Sequence, residues 1–328
     1  MKKINLSEKP FYLKEEDIYW VEQTLQSMLL EEKIGHLFCI SPDLNDERTL
    51  AMLMQKKPGG LMLRPYDTKQ CVEKVNDLNA KADIPLLFAA DLEKGANGVA
   101  NEGTTIGSPL GIAATGDTAF AEKLGIICAE EGAACGVNWT FGPIVDIDHN
   151  FLNPITNERT FGSNAECVMQ MGLAYIKAAQ ERNVAATAKH FPGDGMDFRD
   201  QHIVGTTNSL SVEEWEKSYG KIYRACIEAG VKSIMVGHIY HPEWTRRMNS
   251  NIADKDILPS SMSPEMMKGV LRGELNFNGV IVTDATTMTG FMQALPRREL
   301  IPQVIISGVD MILFSINFEE DLKYMHGQ

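Results

Sequence analysis

Eight short apolar runs recur along this 328-residue chain, and polar or amphipathic stretches separate them. Strand-like runs that alternate with helix-like segments are typical of parallel sheets, in which helices connect consecutive strands. The predicted strands are residues 33–40, 59–65, 85–91, 137–147, 184–190, 232–239, 279–285 and 309–315. Eight strands with interleaved helices predict an α/β fold, a (β/α)8 TIM-type barrel, rather than an open sheet.

The chain contains no Ser/Gly-rich linker and no internal repeat, so we expect a single barrel domain over residues 1–328. Residues 1–32 precede the first strand and include a predicted lead-in helix at 14–30. Helix starts are indicated by Asp117, by Ser211 with Glu214, and by Ser263 with Pro264. The chain ends shortly after the predicted eighth strand.

The formal net charge of −13 argues against nucleic acid or an anionic membrane as the main partner. No apolar run approaches 18 residues, and the N-terminus lacks the apolar core of a secretory signal. The six cysteines are scattered and form no CxxC pair, which is typical of reduced thiols. These observations predict a cytoplasmic protein with a small ligand, and they leave its oligomeric state open.

Polar side chains end most of the predicted strands. In a parallel barrel the C-terminal strand ends share one rim, which is where such barrels hold their sites. Six of the eight apolar runs end this way, which favours a functional site over coincidence. The residues are Arg64, Asp91, Asp146, Lys189 with His190, His238 and Asp284.

Hydrolysis of a sugar acetal requires an anionic group for the developing oxocarbenium ion and a proton donor for the leaving oxygen. Asp284 is the candidate nucleophile, because an apolar strand would deliver it rigidly to the rim. The alternative for Asp284 is a structural role, as the N-cap of a helix that begins near Ala285.

The candidate proton donor lies in the segment ATAKHFPGDGMDFRDQHIVG, residues 186–205. Asp200 precedes His202 by two residues, so its carboxylate can bind one imidazole nitrogen and leave the other for the substrate. Lys189 and His190 are consecutive and would point to opposite sides of a regular strand. We expect the Pro-Gly turn at 192–193 to aim both at one ligand. A satisfied core histidine is the alternative for His190.

Three elements in this order resemble glycoside hydrolase family 3, especially its bacterial exo-β-N-acetylglucosaminidases. They are Lys189-His190-Phe191-Pro192-Gly193, Asp200-x-His202 and Val282-Thr283-Asp284. The resemblance extends from about residue 20 to the C-terminus. Relatives continue after the eighth strand through a closing helix, and many through a second domain, so the resemblance implies a missing C-terminal continuation and a barrel that closes imperfectly. It implies a (β/α)8 barrel, no cofactor, and a β-N-acetylglucosaminide as the carbohydrate substrate.

Carried over by position, the resemblance implies that Asp284 forms a covalent glycosyl-enzyme while His202, oriented by Asp200, protonates the leaving group. It also implies that sugar hydroxyls contact a further set of residues: Asp91, Arg159, Lys189, His190 and His238. Three departures concern substrate preference. Many relatives have D-x-E-G-G-R where this chain has Asp91-Leu92-Glu93-Lys94-Gly95-Ala96, a histidine where it has Asp194, and a second aspartate where it has Ala285.

Several alternatives stay open from the sequence. A β-glucosidase of the same family, or a catalytically impaired sugar-binding barrel, would share most of these residues. A metal-dependent hydrolase is a rival in which His190, His202, His238 and His241 converge, although we expect no metal. The sequence also does not distinguish water from phosphate as the acceptor of the sugar.

Overall fold

The computed structural model describes residues 4–327 and contains a closed barrel of eight parallel strands. Every predicted apolar run contributes one strand, and neighbours in the chain are neighbours in the barrel. The strands are β1 Phe38–Ile40, β2 Gly60–Met62, β3 Leu87–Ala90, β4 Trp139–Thr140, β5 Ala185–Phe191, β6 Ser233–Val236, β7 Val280–Ala285 and β8 Met311–Leu313. The (β/α)8 fold expected from the sequence is confirmed.

The expectation of imperfect closure is wrong. Strand β1 pairs with β8, with Phe38 opposite Ile312 and Cys39 opposite Leu313. A helix at Phe318–Met325 follows β8 and provides the missing outer layer, and the Phe318 ring packs edge-on against Phe38 at 5.2 Å between centroids. The segment that follows β8 is therefore long enough to form a helix on the outside of the barrel.

Helices connect the strands and surround the barrel. They are α1 Glu15–Ser27, α2 Leu30–His36, α3 Glu47–Gln55, α4 Thr68–Lys81, α5 Pro109–Ala113, α6 Thr118–Ala134, α7 Ala165–Gln180, α8 Val212–Trp215, α9 Lys221–Glu228, α10 Pro242–Met248, α11 Thr289–Met292, α12 Arg297–Ser307 and α13 Phe318–Met325. Glu216–Gly220 and Glu265–Glu274 form π-helical turns, and short 3₁₀ turns occupy Ala96–Gly98, Asn157–Arg159, Asp254–Asp256 and Ser260–Met262. None of the helices in residues 4–327 has the length and apolar character needed to cross a bilayer.

Local sequence signals explain several helix starts. Asp117 accepts a hydrogen bond from the Ala119 amide, Ser211 and Glu214 form a capping box, and Ser263 accepts from the Met266 amide. The predicted lead-in helix is two helices, α1 and α2. Residues 33–36, predicted as the start of the first strand, belong to α2.

The strands place alternate side chains in two separate apolar layers. One layer fills the barrel interior and includes Cys39, Met62, Trp139, Met235 and Val282. The larger layer lies between the outer faces of the strands and the helices, where α6 and α7 contribute buried faces. The filled interior gives the strand ends a rigid base, so the polar residues at the rim are held in fixed positions.

A small parallel pair of strands lies outside the barrel. Thr206–Thr207 pairs with Ile239–Tyr240 and joins the segment after β5 to the segment after β6. This pairing fixes the C-terminal end of the loop that carries Asp200 and His202.

Candidate active site

A cavity of about 480 Å³ opens at the C-terminal ends of the strands. Six of the eight predicted site residues line it: Asp91, Arg159, Lys189, His190, His202 and Asp284. Apolar side chains from the barrel interior form its base, including Met62, Phe141 and Met235. The structure therefore gathers residues from β3, the segment after β4, β5 and β7 at one site.

Asp284 lies near the end of β7 and is 9% exposed, with its carboxylate facing the cavity. Burial alone would raise its pKa, but His190, His238, the Ala285 amide and Lys189 outweigh burial and lower the pKa. The helix N-cap alternative is wrong, because the next helix begins only at Thr289. Asp284 is thus held as an anion with no helix to cap.

Lys189 and His190 both face the cavity although they are adjacent in β5. The peptide bond between them is cis, and the pairing of β5 with β6 shifts register between Ala188 and Phe191. The register shift that lets both side chains face the cavity thus lies within β5, whereas the sequence predicted that the Pro192-Gly193 turn would aim them.

His190 is fixed by a buried carboxylate that the sequence placed at the rim but gave no role. Its Nδ1 lies 2.7 Å from Asp146 Oδ2, and its Nε2 lies 3.8 Å from Asp284 Oδ2. Burial alone would lower the pKa of His190, but Asp146 and Asp284 outweigh burial and raise the pKa. The alternative of a satisfied core histidine is incomplete, because Nε2 points toward the candidate nucleophile.

A second carboxylate, Glu93, contacts two of the basic side chains that line the cavity. It accepts two hydrogen bonds from Arg159, at 3.0 and 2.8 Å, and lies 2.7 Å from Lys189 Nζ. Asp91 also contacts Lys189, at 3.0 Å, and lies 3.6 Å from Arg64. Despite its burial, Glu93 has a lowered pKa because Lys189 and Arg159 stabilise the anion. Its position two residues after the strand-end Asp91 was the available sequence signal.

Asp200 and His202 form the predicted pair. Asp200 Oδ1 lies 2.7 Å from His202 Nδ1 and also accepts the His202 amide at 2.7 Å. The His202 carbonyl accepts the Thr289 amide at 2.9 Å, which holds the loop against the segment that follows β7. The His202 side chain is 48% exposed, and within residues 4–327 its Nε2 makes no hydrogen bond.

His238 lies beside the cavity rather than in its wall. It is fully buried, its Nδ1 contacts Ser261 Oγ at 2.8 Å, and its Nε2 contacts the Ala285 carbonyl at 3.1 Å. Both ring nitrogens thus have protein partners, which favours a role in supporting the end of β7 over contact with a sugar.

The four histidines considered as metal ligands have separate partners. His241 caps α10 and packs against the Trp215 ring. Within residues 4–327 no three His, Cys, Asp or Glu side chains are arranged to hold a metal ion.

Relatives are found both by sequence and by structure. A "Beta-N-acetylglucosaminidase/beta-glucosidase" of Cellulomonas fimi is 46% identical over 98% of this chain and 57% of its own length. A "Beta-hexosaminidase" of Tolumonas auensis is 30% identical over 82% of this chain and 78% of its own. The chain thus spans little more than half the length of the Cellulomonas relative.

Solved structures give the same picture. A beta-glucoside phosphorylase bound to 2FGlc superposes with a TM-score of 0.96 at 46% identity, over 98% of this chain and 58% of that one. A family 3 β-N-acetylglucosaminidase from Paenibacillus sp. superposes with a TM-score of 0.83 at 28% identity, over 92% and 58%. The model of the Glycosyl hydrolase family 3 N terminal domain matches residues 29–328. The chain therefore belongs to glycosyl hydrolase family 3.

Proposed function

We propose that this chain is the catalytic domain of a retaining exo-glycosidase that removes a terminal β-N-acetylglucosamine. The observation that carries the proposal is that Asp284, whose pKa is lowered, lines one cavity with His202, and Asp200 contacts the ring of His202. An anion and a proton donor on opposite sides of the scissile bond are what acetal cleavage requires.

In the first step, an Asp284 oxygen attacks the anomeric carbon while the bond from that carbon to the leaving oxygen breaks. Protonated His202 donates its Nε2 proton to the leaving oxygen, and Asp200 stabilises the imidazolium through Nδ1. In the second step, neutral His202 accepts a proton from the incoming acceptor, whose oxygen displaces Asp284 from the sugar. The pair thus acts first as acid and then as base.

The remaining cavity residues suit a sugar ring. Asp91 and Lys189 present a charged acceptor and donor side by side, and His190 lies next to Asp284. Hydrogen bonds to charged groups are stronger than those between neutral groups, so such partners give orientation as well as affinity. We assign Asp91, Arg159, Lys189 and His190 to binding of the terminal sugar.

Two sugars fit this proposal, and the relatives divide between them. The Cellulomonas relative is named for both activities, and the phosphorylase is named for glucosides. A β-glucoside is therefore the second candidate substrate. Initial rates on nitrophenyl β-N-acetylglucosaminide and on nitrophenyl β-glucoside separate the two. A higher kcat/KM for the glucoside would contradict the proposed preference.

Phosphate is the second candidate acceptor. A neutral imidazole carries no negative charge that would repel an incoming anion, and the cations Arg64, Arg159 and Lys189 line the cavity. Reactions run with and without inorganic phosphate, with the products separated as free sugar or sugar 1-phosphate, decide between the acceptors. Free sugar as the main product in saturating phosphate is expected for a hydrolase, and sugar 1-phosphate would reassign the chain as a phosphorylase.

A different comparison distinguishes an enzyme from a sugar-binding protein without catalysis. Asp284→Asn keeps the shape of the site but removes the nucleophilic anion, so we expect kcat to fall by at least about a thousandfold. Activity that survives a strong chelator in the wild type would likewise exclude a metal-dependent hydrolase. Equal rates for the wild type and Asp284→Asn would sink the proposed mechanism.

A further inference from the structure

Gln201 separates the two members of the Asp200–His202 pair, yet it points in the opposite direction. It is fully buried, whereas the His202 side chain is half exposed at the cavity. A buried glutamine between two polar residues of a surface loop is unusual, because burial of an amide is unfavourable unless its polar atoms find partners.

The Gln201 amide has a partner on each side. Its Nε2 donates to Asp194 Oδ2 at 3.0 Å, and its Oε1 accepts from the His238 amide at 3.0 Å. Its main-chain carbonyl accepts from the Gly290 amide at 3.1 Å. Gln201 therefore ties the middle of the loop to the chain after β5, to the chain after β6 and to the start of α11.

Asp194 is the centre of the same network and is 3% exposed. Its Oδ1 accepts from Asn153 Nδ2 at 2.9 Å and from the Gly195 amide at 2.7 Å. Its own amide donates at 2.8 Å to Asp146 Oδ1, on the carboxylate that holds His190. A series of buried hydrogen bonds thus connects His190, which lies beside Asp284, with Gln201 in the loop that carries His202.

We propose that Asp194 and Gln201 form a buried clamp that sets the position of His202 relative to Asp284. They are positioning residues, because neither lines the cavity. The expected effect on kcat rests on the proposed function. The clamp itself concerns only how well the loop is ordered and does not depend on that function. A displacement of about 1 Å of a catalytic group is sufficient to lower a rate by about a hundredfold.

Single substitutions break the clamp by mismatching donors and acceptors. Asp194→Asn keeps an oxygen toward Asn153 and the Gly195 amide, which places an amide nitrogen against the Gln201 nitrogen. Gln201→Glu instead places two carboxylates against each other when kinetics are measured well above the pKa of Asp194, which burial and Asp146 raise to about 6. We expect each variant to lower kcat by about tenfold to a hundredfold, with KM changed less than threefold.

The double variant Asp194→Asn with Gln201→Glu restores a matched pair with the donor and acceptor exchanged. The new amide donates to one oxygen of the new carboxylate, and the other oxygen accepts from the His238 amide. We therefore expect kcat to return to within about threefold of the wild type. Gln55→Glu, the same change at an exposed position far from the rim, is the matched control and should leave kcat unchanged.

Amide hydrogen exchange of the segment 197–205 tests the clamp without any substrate. We expect faster exchange there in each single variant, and wild-type exchange in the double variant and in Gln55→Glu. If the wild type has no glycosidase activity but the variants show this exchange pattern, the proposed function is refuted and the clamp is supported. The clamp would be overturned if both single variants had the exchange rates and the kcat of the wild type. It would also be overturned if the loss of kcat in the double variant equalled the product of the losses in the two single variants.

Discussion

At the scale of single residues, the site depends on carboxylates that do not react. Asp146 is fully buried and Glu93 is nearly so, with 11% of its side chain exposed, and both contact basic side chains at the edge of the cavity. Removal of one partner of a buried ion pair leaves an uncompensated charge and costs more than the pair itself contributes. These two carboxylates therefore decide where Lys189, Arg159 and His190 stand.

Glu93→Gln should lower the free energy of unfolding by about 3 kcal/mol, because Lys189 and Arg159 lose their shared anion. KM should rise as well, because both cations are proposed to contact the sugar. Glu158→Gln is the matched control, since Glu158 pairs with Lys94 at the surface, and it should change stability by less than about 1 kcal/mol. Urea unfolding and steady-state kinetics measure both effects, and equal stability losses in the two variants would contradict the assignment.

The contact between Asp146 and His190 has a defined pH dependence. The folded-state pKa of His190 is raised above 6.5, so its contribution to stability is fully present below pH 6.5 and is lost as the pH rises through the folded pKa. Asp146→Asn keeps an acceptor for the two backbone amides but not the charge. The stability difference between wild type and Asp146→Asn should therefore be larger at pH 5.5 than at pH 9. A difference that is the same at both pH values would contradict a titration of His190 that depends on Asp146.

Much of the site could be predicted from the sequence, for a physical reason. Strand ends in a parallel barrel share one rim, so Asp91, Lys189 and Asp284 meet there even though they are far apart in the chain. Glu93 and Asp146 received no role, because a supporting carboxylate has no pattern of its own until its partners are located. The sequence predicted His238 as a sugar contact. In the structure its ring is buried against Ser261 and the Ala285 carbonyl, and the sequence alone does not show that these residues lie beside it.

At the scale of elements, the turn after β5 decides how the proton-donor loop leaves the barrel. Gly193 has a φ of +119°, and a Cβ at this position would lie 2.2 Å from Cδ1 of Tyr219, which is fully buried. Both the backbone conformation and the space therefore require glycine. The sequence indicated a turn here, but only the packing of Tyr219 shows how little the turn can move.

Gly193→Ala should be markedly destabilising, and kcat should fall because the loop is displaced. Gly107→Ala separates the two causes, because Gly107 has a similar φ of +129° and a Cβ there would meet nothing within 4 Å. We expect a cost of about 1–3 kcal/mol at Gly107 from the backbone alone, and a larger one at Gly193. Thermal unfolding of both variants measures the difference, and equal costs would argue against the contact with Tyr219.

Helix α13 packs on the outside of β1, and the sequence did not predict this helix. Its eight residues were too few to show a helical period, whereas in the structure Phe318 packs on Phe38 and Asp321 forms an ion pair with Arg297 of α12. A short amphipathic helix gains most of its stability from such packing rather than from its own propensity.

Phe318→Ala should lower the free energy of unfolding by about 3–5 kcal/mol, because a buried ring is removed beside β1. Phe151→Ala is the matched control at a ring that is 81% exposed, and it should change stability by less than about 0.5 kcal/mol. Chemical unfolding of both variants gives the comparison. A Phe318→Ala variant as stable as the control would mean that the packing of α13 on β1 does not stabilise the fold.

At the scale of the whole molecule, the fold and the family are established while the reaction is a proposal. The chain contains the barrel, the Asp284 anion and the Asp200–His202 pair, and it spans 57% of the length of its Cellulomonas relative. A cytoplasmic location and a C-terminal continuation stay predictions. In the proposed reaction, Asp284 carries the sugar covalently while His202 transfers the proton.

The most direct test uses His202→Ala with dinitrophenyl β-glycosides of glucose and of N-acetylglucosamine. Dinitrophenolate leaves without protonation, so the first step proceeds, whereas the second step lacks its base and the glycosyl-enzyme accumulates. Mass spectrometry of the quenched protein should show one added sugar, located on the peptide that contains Asp284. A burst of dinitrophenolate with no added sugar, or with the sugar on another carboxylate, would contradict the account.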